Sequence, residues 1–182
     1  MNYENYFNDY SHSINKLLLN VNTKLINKSV ELIKKNKLHN NKVYIIGNGG
    51  SASIASHVSV DFAKIAKVPS STFNNANLIT CFSNDYGYEN WVKEAIKSYT
   101  SNKDLIILIS SSGISLNIIK AAEYCNKNNI KLITFSGFNS DNPLSKLGDI
   151  NFHIKSENYN HIEMTHHIIL LSIVDIFAKN IF

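Results

Sequence analysis

The sequence predicts one α/β domain, a doubly wound parallel sheet flanked by helices. Its short apolar segments run without polar alternation, as strands buried on both faces do, and helical patterns fall between them. Two of those segments pass straight into Gly/Ser loops that open helices. Open α/β sheets hold their ligands at such carboxyl ends of strands.

Taken in order, residues 8–37 read as one N-terminal helical segment. Ile14, Leu17, Leu18, Val21, Leu25, Ile26, Val30 and Ile33 recur there at three- and four-residue steps. The α/β core spans 42–155. Val43–Ile46 is a buried strand stopped by Gly47-Asn48-Gly49-Gly50, and Ser51 is placed to N-cap a helix running to about Lys67. Ser71–Phe73 reads as a short extra strand. Leu105–Ile109 is the second buried strand; it enters Ser110-Ser111-Ser112-Gly113-Ile114-Ser115, and a helix follows to about Asn129. Ile130–Phe135 is a third strand and Ile150–Ile154 a fourth. From Tyr159 the pattern is helical to the end, giving a C-terminal helix over 159–180.

Length and composition agree with a single domain over 1–182. One domain commonly takes ~100–200 residues, the only prolines are Pro69 and Pro143, and no Gly/Ser-rich linker interrupts the chain. Cys81 and Cys125 stand far apart in apolar surroundings and read as two buried thiols in a reducing compartment. Met1–Tyr10 is polar and acidic, unlike a secretory signal. The longest apolar stretch, Ile168–Ala178, is interrupted by Asp175 and falls short of the roughly 20 residues that span a bilayer. These features predict a cytoplasmic protein without a membrane partner. The net charge is +4, carried by lysine alone, with no arginine in the chain. Without the arginine fork that reads bases, no nucleic-acid partner is expected.

The two loops carry the functional expectation. A glycine loop lets backbone N–H groups approach a phosphate, and the helix N-terminus behind it adds partial positive charge. Asn48, Gly49, Gly50 and Ser51 in the first loop, with Ser110, Ser111, Ser112 and Ser115 in the second, are the candidate phosphate and substrate ligands. Gly47, Gly49 and Ala52 also fit the dinucleotide pattern G-x-G-x-x-A. That reading needs an acid ~20 residues on to hold the ribose. Ala63–Ser83 contains neither Asp nor Glu, so no nucleotide cofactor is expected.

Gly47-Asn48-Gly49-Gly50-Ser51-Ala52 followed by His57, the Ser110–Ser115 loop, and Asn84-Asp85-Tyr86-Gly87-Tyr88-Glu89 together resemble, in order and spacing, the SIS-domain phosphosugar isomerases. Within that family the chain is most similar to the phosphoheptose isomerases. The resemblance implies a flavodoxin-like fold, a sugar-phosphate substrate, and a homotetramer with active sites at subunit interfaces. It implies isomerisation of sedoheptulose 7-phosphate to a heptose 7-phosphate for surface polysaccharide. The second reading is a non-catalytic phosphosugar-binding protein, a sensor or scaffold.

An aldose–ketose isomerase needs a base and a group that moves protons between oxygens. His57 and Asp61, four apart on a helix, share a face, and Glu163 with His166 or His167 repeats the arrangement on the last helix. The candidate catalytic set is Asp61, His57, Glu163 and His166, and the same four could hold one zinc ion. The resemblance implies Asp61 as the general base, at a position where the family carries Glu. It places Glu163 where the family carries Gln, Leu171 at the second catalytic histidine, and Ile65 at an arginine. Asn75 stands for an aspartate of the substrate loop.

Overall fold

Every residue of Val43–Gly47 (β1) and Leu105–Ile109 (β3) is buried, as strands covered on both faces require. Ser70–Ser71 (β2), Lys131–Gly137 (β4) and Ile150–Ile154 (β5) complete the sheet. In the computed structural model, which describes residues 3–180, all five strands are parallel and lie in the order β2-β1-β3-β4-β5. This is the flavodoxin-like doubly wound order, whose ligand crevice opens where the winding reverses, between β1 and β3. The register pairs Gly47 with Ile109 and Ile109 with Phe135, so β1 and β3 end level and β4 runs on to Gly137.

Alternate side chains feed two cores. Val43 and Ile45 of β1 and Leu105, Ile107 and Ile109 of β3 pack with Thr23–Leu38 (α2), Gly50–Lys64 (α3) and Tyr159–Ala178 (α7). Tyr44, Ile46, Ile106 and Leu108 pack on the other face with Trp91–Tyr99 (α5) and Leu116–Lys127 (α6), and Ala76–Tyr86 (α4) lies against that cluster. Each fully buried isoleucine contributes about 2 kcal/mol relative to exposure. Tyr3–Leu19 (α1) buries none of its residues and touches the body mainly through α7.

Several expectations are corrected. The segment 8–37 is two helices, because Asn22 accepts the Lys24 N–H as an N-cap and restarts the chain as α2. The helices expected to reach Lys67 and Asn129 stop at Lys64 and Lys127. Lys67 (φ 54°) and Asn129 (φ 55°) are left-handed and lie outside them. β2 is shorter than Ser71–Phe73; Phe73 instead stacks on Tyr44 at 5.1 Å and belongs to the second core. α4 and α5 fill a stretch read without elements, and α5 is anchored by the buried Trp91, Val92, Ala95 and Ile96.

The two thiols differ. Cys125 is buried, and burial, reinforced by Asp149, pushes its thiol up to about 12. Cys81 is exposed on α4. α7 also exceeds the apolar stretch read from sequence: at 20 residues and mean hydropathy 1.3 it is long and apolar enough to cross a membrane. Its Ile162, Ile169, Leu170, Ile173, Val174 and Phe177 instead pack against the sheet. The last two residues of the expected helical run, 181 and 182, lie outside the described residues.

Candidate active site

The first loop owes its shape to two glycines. A β-carbon on Gly47 would sit 2.6 Å from Ser51 Cβ and 2.8 Å from its carbonyl carbon, so only glycine lets α3 start this close to β1. Gly49 (φ 52°) then takes the N-cap position. This corrects the expectation for Ser51: it lies inside the first turn of α3, 3 % exposed, with Oγ 3.5 Å from Ser111 Oγ. The Asn48 and Asn117 side-chain amides bond each other reciprocally at 2.9 Å, tying the first loop to α6. The Tyr88 hydroxyl donates to Asn48 Oδ1 at 3.4 Å.

In the second loop Ser110 Oγ donates to Ser115 Oγ at 3.1 Å. Ser112 Oγ accepts the Ile114 N–H at 3.4 Å. The two loops face each other across the β1/β3 crevice and, with Tyr159 and Glu163 from α7, line a cleft of about 230 Å³. Asn48, Gly49, Gly50, Ser51, Ser110, Ser111, Ser112 and Ser115 all line it. Two helix N-termini and a ring of hydroxyls suit an anion. Asn75 is not among the lining residues; it stands exposed at the N-cap of α4. Its neighbour Asn74 is the anchored residue, donating to the Ala52 carbonyl and to Ser56 Oγ.

Further along α3 lie His57 and Asp61, with His57 Nε2 3.2 Å from Asp61 Oδ2. At the helical rise these two residues stand about 9 and 15 Å past Ser51, and side chains on a helix lean back toward its N-terminus. The facing helix supplies His167, whose Nε2 is 3.0 Å from His57 Nδ1. The two rings meet edge to face at 4.9 Å. Burial lowers the His167 pKa from its ordinary value; His57 lowers it further, and Asp61 opposes both.

Glu163 lines the cleft between the loops. Its carboxylate lies over Gly50 and 3.5 Å from Ser111 Oγ. His166 does not. It is completely buried, with Nε2 3.1 Å from the Ser136 carbonyl and its ring edge-on to Phe135. Burial lowers its pKa to about 4, so it is a neutral core histidine at ordinary pH. The adjacent His167, the alternative to His166 beside Glu163, is the one that turns toward α3. Its i,i+4 spacing from Glu163 was the available signal. Leu171 packs partly buried against the core cluster that contains α7, and Ile65 caps α3 exposed to solvent.

The four residues expected to hold zinc are not brought together. His57 turns one nitrogen to Asp61 and the other to His167, Glu163 faces the loops, and His166 points into the core. Among the described residues no group of three or more His, Cys, Asp or Glu side chains is arranged to hold a metal ion. A zinc site asks for three or four donors around one point, and this set does not fit it.

The sequence matches the SIS domain family over residues 5–137. It is 34 % identical to the phosphoheptose isomerase of Thermodesulfovibrio yellowstonii over 140 residues, 74 % of this chain and 69 % of that protein. It is 29 % identical to the phosphoheptose isomerase of Colwellia psychrerythraea over 153 residues, 80 % of this chain and 78 % of that one. The fold superposes on the structure of a phosphoheptose isomerase from Francisella tularensis with a TM-score of 0.89 at 24 % identity. That match covers 98 % of this chain and 100 % of the other.

Proposed function

This chain belongs to the SIS-domain family, and from that premise we propose that it is an aldose–ketose isomerase of a sugar phosphate, with sedoheptulose 7-phosphate as substrate. The product is the corresponding heptose 7-phosphate, a precursor for surface polysaccharide. The observation that carries the reading is the joining of two Gly/Ser loops, each opening a helix, into one cleft at the β1/β3 crevice. A carboxylate–imidazole pair stands further along the helix that opens there. Relatives named phosphoheptose isomerase over most of their length support the same substrate class.

The reaction moves one proton between adjacent carbons. The phosphate is held by backbone N–H groups at the start of α3 and by Ser51, Ser110, Ser111, Ser112 and Ser115. An extended sugar chain then runs along α3 toward His57 and Asp61. The Asp61 carboxylate takes a proton from C1 of the ketose, the electron pair forms the C1–C2 double bond, and the C2 oxygen takes a proton from water. The enediol collapses when the C1 hydroxyl gives up its proton to water and C2 receives one from Asp61. Aspartate reaches about one methylene less far than glutamate, so the substrate sits closer to α3 here than a longer acid would require. Glu163 accepts hydrogen bonds from sugar hydroxyls near the phosphate end.

The protein works in the cytoplasm as a homotetramer with its sites at subunit interfaces. Exposed apolar side chains support this arrangement. Val60 and Ile65 flank Asp61, Met164 and Ile168 flank His167, and α1 presents Tyr3, Tyr6 and Phe7 to solvent. Turnover of sedoheptulose 7-phosphate, followed by NMR, tests the function. Appearance of the aldose phosphate is expected; binding without conversion would instead favour a sensor or scaffold.

A further inference from the structure

We propose that His167 is a positioning residue for His57, holding its imidazole against Asp61 by a side-chain hydrogen bond rather than through a shared zinc ion. Its catalytic consequence rests on the isomerase reading; its geometry does not. A neutral imidazole has one donor and one acceptor nitrogen. An ionised carboxylate only accepts, so His57 Nε2–H donates to Asp61 Oδ2, 3.2 Å away. His57 Nδ1 is then the acceptor, and the nitrogen 3.0 Å from it, His167 Nε2, carries the proton. The tautomer of His57 is thereby fixed from both sides.

Two further features agree. The His57 side chain is 52 % exposed, so without His167 its ring would be held only by a solvent-exposed contact to Asp61, of the kind that is worth little against water. Position 171, where the resemblance implies the second imidazole, holds a leucine packed on the core. The imidazole has in effect moved one helical turn back along α7, onto the face of Glu163. From there it meets the His57 ring itself. A His57 ring engaged through both nitrogens has no lone pair left for a metal.

The test compares wild type with His167→Ala and His167→Gln, since the glutamine amide can still donate a hydrogen bond. Nitrogen-15 NMR of the histidine rings, recorded well above the ordinary imidazole range of pH, reads the tautomer directly. In wild type His57 is expected to carry its proton wholly on Nε2, and in His167→Ala to become a mixture of tautomers. With sedoheptulose 7-phosphate, kcat is expected to fall about tenfold or more in His167→Ala with KM little changed, and to recover in part in His167→Gln. Equilibrium dialysis against zinc is expected to show no difference between wild type and the variants. An unchanged His57 spectrum in His167→Ala overturns the proposal. So does one equivalent of zinc held by wild type and lost from His167→Gln. If wild type fails to turn the sugar over, the isomerase reading falls, and the NMR comparison still decides whether His167 sets the His57 ring.

Discussion

The Glu163 carboxylate lies over Gly50 at the N-terminus of α3, where a β-carbon would collide with its Oε2. One of its oxygens is 3.5 Å from the Ser111 hydroxyl. The protein's own carboxylate thus sits at the edge of the cradle that its two helix N-termini offer to an anion. It satisfies that positive end when no phosphate is bound, and it repels a phosphate that arrives. Like charges about 4 Å apart cost about 1 kcal/mol even in water-like surroundings. Glu163→Gln is therefore expected to bind inorganic phosphate about fivefold more tightly or better, as read by calorimetry. Equal or weaker binding would place the phosphate elsewhere.

The serines act in the opposite direction. Ser51 Oγ is buried, and its nearest partner in the structure is Ser111 Oγ, 3.5 Å away, a distance that leaves it free to donate to a ligand. Ser51→Ala or Ser112→Ala should each weaken sugar-phosphate binding by roughly 1–3 kcal/mol, the worth of a hydrogen bond to a charged group. Unchanged affinity in both variants would remove these loops from the phosphate site.

His166 gives the fold a pH dependence of known sign. Its pKa is lowered from 6.5 to about 4 because it is wholly buried. The unfolded chain therefore binds the extra proton first as pH falls, and stability drops between about pH 6.5 and 4. A shift of this size corresponds to about 3 kcal/mol across that window. His166→Gln should flatten the fall of the melting temperature over the same range, whatever its effect at neutral pH. An equally steep fall in the variant would show that other groups dominate acid unfolding.

The fold was legible in the sequence because strands buried on both faces leave unbroken apolar runs, as in Val43–Ile46 and Leu105–Ile109. The shape of the first loop was legible because Gly47 and Gly49 are needed there for backbone reasons. Local competition was harder to see. Asn22 breaks a helical pattern whose apolar periodicity runs on regardless. α4 and α5 are short and mix polar with apolar positions, so their pattern is weak even though α5 is firmly buried. The last helix was hardest to read. His166 and His167 are adjacent, so their side chains point about 100° apart on the helix, and only the placement of α7 against α3 decides which one reaches His57.

On the proposed function, Asp61 is the base of an isomerase whose phosphate is held in the cleft between the two loops. The most direct measurement is NMR-monitored turnover of sedoheptulose 7-phosphate by wild type and by Asp61→Ala, with binding of the same sugar measured in parallel. Wild type is expected to convert it to the aldose phosphate, and Asp61→Ala to show no detectable conversion at an affinity within a fewfold of wild type. Full activity in Asp61→Ala, or a wild type that binds the sugar without converting it, would contradict this reading.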